Sequence, residues 1–113
     1  MLKVSEMKYK IFIYVILFLT IAGAVAAPQS TEWAKVTFYG TGWSSDSVRV
    51  TLNAPFVSNG CTGFDGYVTD PNDTGNHAHQ SALLMAFAAS KDVQIVVDGC
   101  YNTRPKIIGV YVR

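Results

Sequence analysis

The chain closes on "VQIVVDGCYNTRPKIIGVYVR", residues 93–113, in which two alternating apolar runs frame a polar knot. Val93, Ile95 and Val97 recur at every second position, and Ile108, Val110 and Val112 do the same on the far side. That period belongs to half-buried strands. Gly99 to Pro105 between them is turn chemistry, so the segment is expected to be a closing β-hairpin with those two triplets facing the core. Cys100 stands at its tip, where a free thiol would be exposed and oxidisable.

Immediately upstream, "HAHQSALLMAFAASKD" (77–92) abandons alternation. Leu83, Leu84, Phe87 and Ala88 fall at helical spacing in a run rich in alanine, leucine and methionine. A helix is expected over about His77 to Ser90, with Asn76 as N-cap and Lys91 favouring the C-terminal dipole. "DPNDTGN" (70–76) before it is the strongest breaker in the chain. Further back, "AKVTFYG" (34–40) places Val36 and Phe38 on one face, and "VRVTLN" (48–53) does so with Val48, Val50 and Leu52. The glycine- and serine-rich "GTGWSSDS" (40–47) turns between them. A third, less regular strand is expected around Gly66-Tyr67-Val68, after a loop containing Pro55 and Asn59-Gly60.

The order is thus β-β-β-α-β-β: an all-β domain with one helix. It matches a small OB-like five-stranded barrel, which escapes exposed edges by partial closure. The alternative is an open α+β antiparallel sheet with the helix on one face.

The N-terminus reads differently. Lys3, Lys8 and Lys10 precede an apolar run from Ile11 to Val25, and Ala24-Val25-Ala26 fits the small-x-small cleavage rule. Residues 1–26 are therefore expected to be a secretory signal peptide, leaving a single OB-like domain over 27–113. The competing reading is an uncleaved anchor, for which the run is short against the roughly 20 apolar residues of a membrane span. Without Lys3, Lys8, Lys10 and Glu6, six basic and seven acidic residues remain, a net charge of −1 with both histidines neutral. Such a surface offers no footprint for a nucleic-acid backbone.

A domain this small has a marginal core and gains from a covalent staple. Cys61 and Cys100 are the only cysteines, and an exported chain meets an oxidising compartment, secreted or periplasmic. A Cys61–Cys100 disulfide is expected, closing a loop worth roughly 3–4 kcal/mol in the chain-entropy description. In a regular OB barrel the two positions lie at opposite ends, so Cys61 should sit within the third strand or that strand should bend.

No catalytic constellation emerges. Ser44, Ser45 and Ser47 belong to no G-x-S-x-G elbow. His77 and His79, with Asp70 and Asp73 nearby, lack the further ligands and supporting contacts of a metal site, and read as loop and first-turn polar residues. We expect neither enzyme activity nor cofactor nor metal. The aromatics are more suggestive, because aromatic faces with a few fixed polar groups hold sugar rings and extended chains. Trp43 and Tyr101 each sit in a turn with polar neighbours. Together with Arg49, Asn102 and Arg104 they are the candidate ligand-binding residues, against packing in a core or subunit interface as the alternative for each aromatic.

The stretch running from Gly60-Cys61 through "GYVTDP" (66–71) and the alanine-rich helix to "VQIVVDGCYNTRPKIIGVYV" resembles a group of short exported proteins of Gram-negative bacteria. The element order also resembles the OB-fold B subunits of AB5 toxins, the subtilase cytotoxin type in particular. That resemblance implies pentamerisation and binding of host glycans; no contact residue carries over. The expectation is a non-enzymatic binding module whose partner is a glycan or another protein, free of the membrane after cleavage, with homo-oligomers compatible. A periplasmic structural or protein-interaction factor, inhibitors included, is the rival.

Overall fold

The computed structural model describes residues 27–113; the expected signal peptide lies outside the described residues. Seven elements follow in order: β1 (Gln29–Ser30), β2 (Ala34–Thr41), β3 (Val48–Leu52), β4 (Tyr67–Val68), helix α1 (Asn76–Ala89), β5 (Asp92–Tyr101) and β6 (Arg104–Val112). Over the described residues the chain is mostly β with one helix, and the six strands form a mixed sheet. β2 pairs antiparallel with β3, β3 with β4, β5 with β6 and β5 with β2, while β4 meets β6 in parallel at Val68 and Lys106. The pairings therefore return on themselves in a ring, and the sheet is not the purely antiparallel one of the alternative reading. The sixth strand, β1, is a two-residue addition on β5 that is too short to leave a periodic signal.

Val36, Val48, Val50, Tyr67, Leu83, Ala86, Val93, Ile95, Val97 and Ile107 form the buried core. Val93, Ile95 and Val97 face inward as the alternation requires, but two other faces are shifted by β-bulges. An extra residue in β2 between Val36 and Phe38 turns Phe38 outward, 42% exposed, and brings Tyr39 against the core instead. An extra residue in β6 opposite the Val96/Val97 step makes Ile107 the fully buried residue and leaves Ile108 exposed. Each bulge adds one residue to a period of two, and everything beyond it changes face.

The helix begins one residue earlier than expected and caps differently. Gly75, not Asn76, stands at the N-cap without a side-chain bond; Asn76 is the first helical residue, buried, and its amide donates to Asp46 O at 2.8 Å. Leu83 and Ala86 face the core, whereas Leu84, Met85 and Phe87 are about half exposed. Ser90 closes the helix in the left-handed conformation, and Lys91 N donates to Ala86 O at 2.9 Å, a Schellman-type end. Among the described residues, every buried side-chain N or O has a hydrogen-bond partner.

Cys61 and Cys100 are bonded, with Cα atoms 5.8 Å apart. Cys61 lies neither inside a third strand nor on a bent one: the chain from 53 to 66 is an irregular connection that travels to the hairpin. Gly63 N donates to Thr103 O at 2.8 Å. A Cβ on Gly63 would stand 2.9 Å from that same carbonyl, so glycine permits the approach.

Candidate binding groove

Two turns rise on either side of one groove. The first, 42–47 between β2 and β3, is closed by Gly42 N donating to Ser47 O at 2.6 Å. A Cβ on Gly42 would come within 2.8 Å of Ser45 O, which is why this closure takes glycine. Trp43 projects from it fully exposed. The second is the tip of the β5–β6 hairpin, where Tyr101 faces Arg104 across a two-residue loop. Asn102 and Thr103 have φ of 49° and 68°, the positive pair that such tight hairpins require. The knot expected from Gly99 to Pro105 is thus mostly strand: Gly99 (φ 75°) supplies a bulge, and only two residues turn.

The groove between these walls has a volume of about 550 Å³. Trp43, Arg49, Tyr101, Asn102 and Arg104 all line it, with Ser44, Ser45 and Ser47 on the Trp43 side and Phe38 and Val68 beneath. Arg49 lies over the Phe38 ring, its guanidinium carbon 4.8 Å from the centroid, a cation–π geometry.

Both arginines converge on Asp65, which comes from the 53–66 connection. Arg104 Nε and Nη2 donate to its two carboxylate oxygens at 2.6 and 3.0 Å, a bidentate fork. Arg49 Nη1 donates to Asp65 Oδ2 at 3.1 Å and to its carbonyl at 2.7 Å. The Arg104 bond, followed by the charges of Arg104 and Arg49, holds the Asp65 carboxyl below its ordinary range, and the same fork raises Arg104. Two guanidinium groups facing one carboxylate leave the groove with an excess of one positive charge.

All five residues expected from sequence therefore meet in one place, and the disulfide lies beside them. Phe38 and Asp65 were not expected there. The bulge that exposes Phe38 has no sequence signature, and Asp65 is one acid among several in an irregular segment. The remaining aromatics are mostly engaged with the protein: Phe56 stacks on Tyr67, Tyr39 on Phe87, and Trp33 lies under Arg113.

The histidine region disperses. His77 Nε2 pairs with the Asp46 carboxylate, while His79 lies 3.7 Å from Asp73 and Lys106 lies 4.0 Å from Asp70. Among the described residues, no group of three or more His, Cys, Asp or Glu is placed to hold a metal ion. No helix there is long and apolar enough to cross a membrane. A scan against protein-family models found no match, and searches of curated proteins and of solved structures returned none either.

Proposed function

We propose that the protein is an exported, non-enzymatic binding module that takes carbohydrate in the groove between the Trp43 turn and the β5–β6 hairpin. The observation that carries this reading is the convergence of Trp43, Tyr101, Asn102 and Arg49 on one open groove. Two aromatic side chains supply apolar faces for a sugar ring. Serine hydroxyls, an amide and a guanidinium supply the donors and acceptors that fix its orientation.

The ring of pairings, with β4 and β6 closing it in parallel and the helix between β4 and β5, supports an OB-like barrel. On that reading β1 is an addition to the five barrel strands. The groove walls then correspond to the two loops with which OB barrels bind oligosaccharides. A toxin-B-like role fits the same arrangement. The disulfide supports export to an oxidising compartment after cleavage of residues 1–26. Intact mass of the exported protein tests this: a chain beginning near Ala27 is expected, and retention of 1–26 in a membrane fraction contradicts it.

A glycan array probed with the mature protein tests the binding role. Retention of a defined subset of glycans is expected, with the signal strongly reduced in Trp43→Ala and Tyr101→Ala and their melting temperatures nearly unchanged. A blank array, or retention untouched by both substitutions, contradicts it.

A protein-interaction role has one specific observation in its favour. Leu84, Met85 and Phe87 leave an apolar face of α1 about half exposed, and such patches mark interfaces, self-association included. Sedimentation velocity tests this face as an interface: Leu84→Glu shifts the sedimentation coefficient only if the face is buried between copies.

A further inference from the structure

Trp43 has no side-chain packing to hold it, since it is fully exposed; the backbone of its turn decides from where and in which direction the side chain leaves the chain. That turn has a single internal backbone bond, Gly42 to Ser47. Its further anchorage includes a dense set of contacts at Asp46, three residues beyond Trp43. The Asp46 carbonyl accepts from Asn76 Nδ2 at 2.8 Å, and its carboxylate accepts from Gln80 Nε2 at 2.8 Å and pairs with His77. Gln80 Nε2 also donates to Asn76 Oδ1 at 3.1 Å, so the three helix residues are joined to Asp46 as one network.

A second observation points the same way. Helix α1 has no side-chain cap and no acidic residue in its first turn. The Asp46 carboxylate, carried in from the β2–β3 turn, supplies the negative charge that a helix N-terminus favours. The helix therefore gains from holding Asp46 in place, and the turn gains a rigid support.

We propose that Asp46 is the positioning residue of the groove: its carboxylate ties the Trp43 turn to the first turn of α1 and so fixes the wall on which Trp43 stands. This rests on the reading of that wall as a binding surface. A ligand then meets a turn already ordered, and less backbone entropy is lost on binding.

The test needs no ligand. In a Trp33→Phe background Trp43 is the only tryptophan, so its time-resolved fluorescence anisotropy reports the turn alone. Rotamer motion of the exposed indole adds a fast component in every variant. Beside it, the parent should keep a slow component set by the ordered turn and the tumbling of the domain. Asp46→Ala should lose much of that slow component to fast local motion, and Asp46→Asn, which keeps an acceptor oxygen, should recover part of it. Should Asp46→Ala also impair folding, His77→Ala/Gln80→Ala leaves Asp46 in place and removes both side-chain partners of its carboxylate from the helix side. It should loosen Trp43 in the same way. A slow component undiminished in a folded variant of either kind overturns the proposal. A blank glycan array would leave this result intact, and an unchanged anisotropy would leave the carbohydrate reading intact, so the two failures are distinguishable.

Discussion

Asp65 shows how much a single side chain outside the strands can organise. It orients Arg104 through both carboxylate oxygens and Arg49 through one, so the donors lining the groove are set by a residue of the 53–66 connection. Its folded pKa is depressed, mainly by Arg104. The stability this contributes is therefore present above the ordinary carboxylate pKa of about 3.9 and is lost as pH falls through the lower folded value. Urea midpoints measured from pH 6 to pH 2 should fall more steeply for the native protein than for Asp65→Asn. Parallel profiles would contradict that origin. Asn59 has a comparable role in the middle of the same connection. Its amide donates to Ala27 O and Gln29 Oε1 and accepts from Gly99 N. Asn59→Ala should lower stability by about 1–3 kcal/mol, read as a shift in denaturant midpoint. Ser90, exposed at a φ of 52°, is the opposite case. Ser90→Gly should raise stability by about 0.5–1 kcal/mol, because glycine adopts that conformation without strain.

At the scale of elements, periodicity located the long elements and failed where a register slips. The helix lay within one residue of its expected ends, and the inward triplet of β5 held, because both patterns run unbroken over their whole length. Phe38 and Ile108 took the wrong face because a bulge shifts the pattern by one residue and leaves no residue type to mark it. On α1 the apolar stripe is wider than the buried one. Leu83, Leu84, Phe87 and Ala88 all suit a core by composition, and only packing decides that Leu83 enters it with Ala86. Leu83→Ala, at a fully buried site, should cost about 2–5 kcal/mol. Leu84→Ala, half exposed, should leave the melting temperature of the isolated domain nearly unchanged. Equal losses at the two positions would contradict the observed face. The candidate groove was legible for a different reason: large aromatic and charged side chains at or beside the two polar turns stand out in sequence. Those turns are neighbours in space, although Arg49, Tyr101 and Arg104 stand on the flanking strands.

Across the whole molecule, the disulfide joins the connection that supplies Asp65 to the hairpin that supplies Tyr101, Asn102 and Arg104. A domain of this size has little core to spare, and a closure spanning 39 residues contributes about 3–4 kcal/mol by restricting the unfolded chain. Cys61→Ser/Cys100→Ser should show that loss in chemical denaturation, with binding weakened only as the hairpin loosens. The central claim is that carbohydrate enters between the two turns and not on the face of α1. The most direct measurement is a titration of the isotopically labelled mature domain with the glycan best retained on the array, followed by amide and indole chemical shifts. The account expects the largest changes at the Trp43 indole, Tyr101 and Asn102, with Leu84, Met85 and Phe87 unmoved. Changes confined to the helix face, with Trp43 and Tyr101 unmoved, would contradict it.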